Sequence, residues 1–126
     1  MAFWIFMLIM NMLLPLTMIG FGSYFKRSAP GKINHIFGYR TSRSMKNQDT
    51  WDYAHHYIGS QWVLIGWILL IISVVLMLFF IGKDDDAVGL IGGCLEAAQI
   101  IPMIGTVMAT ERELKRVFDE EGKRRG

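Results

Sequence analysis

Residues 61–82 read QWVLIGWILLIISVVLMLFFIG, and residues 83–86 read KDDD. The first stretch has no ionisable side chain. The hydrocarbon core of a bilayer, about 30 Å thick, takes roughly 20 residues of helix, so this run is long enough to cross it. Working outward, residues 2–24 also have no ionisable side chain, and residues 87–110 have one, Glu96. All 13 Lys and Arg, and every acid except Glu96, fall in residues 25–60, 83–86 and 111–126. Charge is therefore scarce, at 19% against about 25% in soluble domains, and segregated. The expectation is an all-α integral membrane protein with one domain over residues 1–126. Its three spans lie at about 2–24, 61–82 and 87–110, with a loop at 25–60 and a tail at 111–126. No Lys or Arg precedes the first run, and Ser-Tyr-Phe-Lys-Arg follows it, so it reads as a span and not as a cleaved leader. The lone Cys94 lies in the third run and reads as a small space-filler.

Loop charge sets the orientation. The first loop carries Lys26, Arg27, Lys32, Arg40, Arg43 and Lys46, and the tail carries Arg112, Lys115, Arg116, Lys123, Arg124 and Arg125. The second loop has Lys83 against Asp84, Asp85 and Asp86. The excess of Lys and Arg in cytoplasmic loops places the first loop and the C-terminus in the cytoplasm, and the N-terminus and the Asp triplet outside. Trp4 then sits at the outer interface, and Tyr24 and Trp62 near the inner one. Asn47 can cap a helix that starts at Gln48, with Trp51, Ala54, His55 and Ile58 on one face. This predicts a short amphipathic helix lying on the inner membrane surface and leading into span two. Thr110-x-x-Glu113 has capping-box spacing, and Leu114, Val117 and Phe118 follow as an apolar stripe. They predict a second short cytoplasmic helix.

Within the spans Glu96 stands out, because ionisable groups in a bilayer are costly and often functional. By helical rise, Glu96 and Asn11 lie at similar depths below the outer ends of their spans, and Gln99 shares a face with Glu96. Pro15 removes the bond that the Asn11 carbonyl would accept, and Pro102 frees that of Ala98. Glu96, Asn11 and Gln99 are therefore the candidate ligand-binding residues, suited to a proton, a small cation or a donor on a bound peptide. The plainer reading is a protonated Glu96 that glues helices together. Gly89 and Gly93 form a GxxxG pair for close packing of helices, within the chain or between copies. His35, His55 and His56 lack the spacing and partners of a metal site. No catalytic or nucleotide-binding motif is present. The expectation is no enzymatic activity, no cofactor, no metal and no nucleic-acid partner.

The loop carries a pattern of its own: Gly38-Tyr39-Arg40-Thr41, Ser44-Met45-Lys46-Asn47, then Trp51 and Ala54-His55. With the tail run Thr110-Glu111-Arg112-x-Leu114-Lys115-x-x-Phe118-Asp119 and Pro102 in the last span, it resembles the SdpI family of bacterial immunity-type membrane proteins. The resemblance covers most of the chain from Gly38 onward and fits a short, single-domain member. It implies a multi-pass protein of the bacterial inner membrane. The family's name-giving member protects a producing cell against its own peptide toxin and signals by holding a repressor at the membrane. The implied partners are a peptide toxin, a cytoplasmic regulator and membrane lipid. Arg40, Arg43 and Lys46 are expected to contact anionic headgroups or the acidic Asp119-Glu120-Glu121, with the loop docked on the tail. Three functions remain open from the residues: protection or envelope sensing, a homo-oligomeric exporter that uses Glu96, and a scaffold for a cytoplasmic partner.

Overall fold

A computed structural model describes residues 1–34 and 36–125. It contains three helices: α1 (Ala2–Arg27), α2 (Gln48–Leu78) and α3 (Asp85–Val117). All three are long and apolar enough to cross a membrane. Each start has a local cause. At α2 the Asn47 side chain accepts the Thr50 N–H at 2.9 Å while the Thr50 hydroxyl accepts the Asn47 N–H at 3.1 Å, a reciprocal cap. At α3 the Asp84 carboxylate accepts the Ala87 N–H at 2.8 Å, and Asp85 and Asp86 place negative charge in the first turn. The α2–α3 hairpin is tight, as its sequence suggests, and Gly82 supplies the positive φ of the turn.

Two expectations are corrected. The helix capped by Asn47 starts at Gln48 and leads into span two as expected, but it is not a short surface helix, because Gln48–Ser60 forms the first turns of one continuous α2. Its apolar face, Trp51, Ala54, His55 and Ile58, is fully buried in protein and does not lie on lipid. Nor does a second short helix begin at Thr110. The hydroxyl of Thr110 bonds back to the Thr106 carbonyl at 2.7 Å within α3, which runs on to Val117. No proline or positive-φ residue stands at either junction, so each helix continues out of its apolar stretch.

Helices α1 and α2 cross at three glycines. A Cβ on Gly59 would meet the Lys26 nitrogen at 2.5 Å and the Gly22 carbonyl at 2.8 Å. One on Gly22 would meet the Gly59 carbonyl at 2.9 Å, and one on Gly66 the Pro15 carbonyl at 3.0 Å. Indole N–H groups pin the helices along their length: Trp4 to the Met77 carbonyl at 2.8 Å and Trp62 to the Thr106 hydroxyl at 2.9 Å. After α3 the chain turns back, with Phe118 and Arg124 bridged and Gly122 at positive φ.

Candidate functional site

In the middle of the bundle each helix contributes one buried polar side chain: Asn11 from α1, Ser73 from α2 and Gln99 from α3. Gln99 Nε2 donates to the Asn11 carbonyl at 2.8 Å and to the Ser73 hydroxyl at 2.7 Å. The Asn11 carbonyl can accept because Pro15, four residues on, has no N–H to give it. Asn11 Nδ2 donates to the Met7 carbonyl at 2.9 Å. These bonds fix both amides with their nitrogens engaged, and the oxygens Asn11 Oδ1 and Gln99 Oε1 stay buried with no donor. Glu96, one turn earlier on α3, is half-buried, and its Oε1 is likewise buried without a donor. Gly92 lies where α1 and α3 touch. A Cβ there would collide with the Met7 side chain and come within 3.4 Å of Asn11 Nδ2.

The structure thus brings Asn11 and Gln99 into contact and sets Glu96 a turn away, with no hydrogen bond from Glu96 to either. Ser73 belongs to the cluster although the sequence reading did not single it out. Its signal was a lone hydroxyl in an otherwise apolar run. The GxxxG pair is used differently from expectation. A Cβ on Gly89 would meet the Phe3 ring only at an ordinary 3.5 Å and one on Gly93 would meet nothing within 4 Å, so the close approach falls on Gly92. Pro102 sits within α3 without ending it.

The loop motif forms a second knot, at the basic end. Gly38 takes a φ of 116°, and a Cβ there would meet His55 Nε2 at 2.8 Å. That glycine lets the chain pass over the imidazole, so the Tyr39 N–H donates to His55 Nε2 at 2.8 Å. The Tyr39 and Thr41 hydroxyls both donate to Glu111 Oε2, at 2.9 and 3.1 Å. Burial, and next the Glu111 carboxylate, push the Tyr39 hydroxyl well above its ordinary pKa, so it stays a donor. The Ser44 hydroxyl donates to the Tyr39 carbonyl at 2.8 Å, and Thr50 Oγ1 donates to the Ser44 carbonyl at 3.0 Å. Trp51 is fully buried beneath the knot. Arg43 and Met45 are half-buried, and Arg40 and Lys46 are exposed.

The loop does dock on the tail, and charges beyond the expected ones take part. None of the ion pairs among the described residues joins Arg43 or Lys46 to Asp119, Glu120 or Glu121. Instead Arg124 forms a two-pronged pair with Asp49, at 2.8 and 2.9 Å, and lies over the rings of Tyr53 and Phe118. Asn47 Nδ2 donates to the Gly122 carbonyl at 2.7 Å. Asp119 is occupied with its own turn, accepting the N–H groups of Glu121 and Lys123. Among the described residues no group of three His, Cys, Asp or Glu could hold a metal ion, and His35 lies outside them.

The sequence model of the SdpI/YfhL protein family matches residues 31–110. This chain belongs to the SdpI/YfhL family. It is 37% identical over 105 residues to the uncharacterised protein YfhL of Bacillus subtilis (strain 168), covering 83% of this chain and 86% of that protein. No solved structure matches. The SdpI/YfhL match takes in the loop side of the knot from Gly38 to His55 together with Ser73, Glu96 and Gln99, whereas Asn11 lies before it and Glu111 just beyond it.

Proposed function

We propose that this protein protects a bacterial cell against a membrane-active peptide, or senses one, through the Asn11–Glu96–Gln99 cluster. In this reading the N-terminus and the Asp84–Asp86 turn face outward, and the loop and tail face the cytoplasm, as the Lys and Arg distribution indicates. One observation carries the proposal. Three buried acceptor oxygens, Asn11 Oδ1, Glu96 Oε1 and Gln99 Oε1, have no donor. Buried polar groups are normally paired, and an unpaired one costs about 1–3 kcal/mol. A set with acceptors in surplus suits a ligand that brings donors, such as an ammonium or a run of amide N–H groups from a peptide. Family membership supports the membrane setting.

The test is a killing assay. Strains expressing the wild type, Glu96→Gln or Asn11→Leu are challenged with a panel of membrane-active peptides, with membrane levels matched by blot. Glu96→Gln keeps the shape but supplies an N–H donor of its own, and Asn11→Leu removes one acceptor. Protection by the wild type that both variants lose is the expected outcome. Full protection by both variants at equal abundance would refute the role of the cluster.

A homo-oligomeric exporter is the second reading. It draws on Gly93, exposed on the helix that carries Glu96 and with open space where a Cβ would stand. Three spans enclose no pathway alone, so a chain that stays monomeric in lipid would rule this reading out.

A further inference from the structure

The polar cluster has a donor balance that narrows what it can bind. Gln99 Nε2 has spent both of its hydrogens, on the Asn11 carbonyl and on the Ser73 hydroxyl. Asn11 Nδ2 gives one to the Met7 carbonyl. Acceptors are left over: Asn11 Oδ1, Glu96 Oε1 and Gln99 Oε1 are buried and receive nothing. Asn11 is 0% and Gln99 2% exposed, so neither amide can turn its oxygen to solvent. The three side chains share one seam. Gly92, Glu96 and Gln99 follow one another along one face of α3, four and three residues apart. Asn11 on α1 meets both ends of that row. Its Nδ2 lies 3.4 Å from where a Gly92 Cβ would stand, and its carbonyl receives Gln99. Glu96 projects from the turn between these two contacts. Beside it Gly93 has open space where a Cβ would stand, so a ligand has room next to the carboxyl. At the start of the same helix Asp84, Asp85 and Asp86 place negative charge, about 15 Å from Glu96 by helical rise, which draws a cation to that end.

We propose that the cluster binds a primary ammonium group. Its three N–H donors go to Asn11 Oδ1, Glu96 Oε1 and Gln99 Oε1, and its carrier chain lies in the open space beside Gly93. The inference rests on the site assigned above and names the ligand group which that assignment leaves open. Donor count selects it. A primary ammonium has three donors and no acceptor, and its charge is opposite to that of a carboxylate. A backbone amide brings a carbonyl with each N–H, and that carbonyl would enter the seam without a donor. A guanidinium has five donors in a rigid plane, more than the acceptors left over. A quaternary ammonium has the charge and no donor at all. Inside an apolar span a carboxylate needs a positive partner, and none of the three apolar runs contains Lys, Arg or His to supply one. On a peptide, the matching group is a lysine side chain or a free N-terminus.

The experiment uses the full chain in phosphatidylcholine nanodiscs and isothermal titration calorimetry. The probes are n-hexylammonium and n-hexyltrimethylammonium, equal in charge and chain length, and empty nanodiscs correct for partition into lipid. The expected result is one n-hexylammonium per chain, bound about tenfold tighter or more than its trimethyl analogue, the scale of a charge-assisted hydrogen bond. Glu96→Gln removes that preference while circular dichroism reports an unchanged helical content. Equal binding of the two probes by the wild type overturns the proposal, and that comparison needs no variant. Undiminished selectivity in a folded Glu96→Gln protein overturns it too. The killing assay keeps the two readings apart. Protection by a chain that does not distinguish the probes leaves the protective role standing and overturns the ammonium site. Selective binding by a chain that protects against no peptide supports the ammonium site and removes the protective role.

Discussion

His55 uses both ring nitrogens inside the protein. Nδ1 meets the Trp51 carbonyl at 2.7 Å and must donate, while Nε2 accepts the Tyr39 N–H at 2.8 Å. One tautomer of the neutral ring satisfies both, and the side chain is fully buried. Replacing it with leucine leaves the Tyr39 N–H buried without an acceptor, which costs about 1–3 kcal/mol. His55→Gln can present an amide oxygen to the same N–H and is expected to lose less than half as much. Thermal unfolding in detergent micelles checks the order: wild type, then His55→Gln, then His55→Leu. Equal melting temperatures for the two variants would mean that the bond contributes nothing. How much was legible differs between the two sites. Asn11, Glu96 and Gln99 announced themselves as polar residues in apolar runs. His55 gave no such signal, because its partner is a backbone N–H 16 residues earlier, which no local spacing encodes. The surplus of acceptors around Gln99 was equally hidden, since it depends on which way two amides turn.

The three spans were legible in the sequence because burial in lipid demands long uncharged runs, and α1, α2 and α3 each contain one. The junctions were not. Asn47 was read correctly as a cap, yet the helix it starts passes straight into the span, because only a breaker would separate the two and none is there. Glycine spacing misled in a similar way. Gly89-x-x-x-Gly93 fits a packing motif, but the closest helix contact lies at Gly22 and Gly59, whose Cβ atoms would run into backbone. Backbone cannot swing aside as a flexible side chain does. Gly59→Ala is therefore expected to force α1 and α2 apart and to destabilise the protein by about 1–3 kcal/mol, the usual range for overpacking. Gly93→Ala fills open space, and the monomer should tolerate it or gain a few tenths of a kcal/mol, roughly, from helix propensity. Paired melting curves of the two variants in the same detergent test the contrast. A neutral Gly59→Ala would show that the helices do not approach as closely as the structure has them.

The polypeptide closes its basic end by folding the tail back across two helices. Phe118 and Leu114 are buried against Ala54, Tyr53 is half-buried beside them, and Arg124 reaches over the rings to Asp49. The tail turn itself rests on Asp119, which accepts two backbone N–H groups. Those bonds, the Lys123 N–H first, hold its carboxyl below the ordinary carboxylate range. A carboxyl with a depressed folded pKa stabilises the turn above its unfolded value, near 4, and that contribution is lost as pH falls through the lower, folded value. Acidification toward pH 3 should therefore open the tail before it melts the bundle, whose polar contacts in the membrane interior do not involve Asp119. Arg124→Ala should weaken the same closure at neutral pH by removing the link to Asp49. Hydrogen exchange, read by mass spectrometry on the protein in nanodiscs, separates these effects. In Arg124→Ala, amides of residues 118–125 are expected to exchange on the order of tenfold faster, as for a locally opening segment, while amides of α1 keep their protection. An Asp119→Asn variant should lose the acid response and exchange at neutral pH as the wild type does near pH 3, once intrinsic rates are corrected. If tail exchange in the wild type is unchanged by acid, or if α1 opens together with the tail, the tail is not a separate closure and the basic end unfolds as part of the whole bundle.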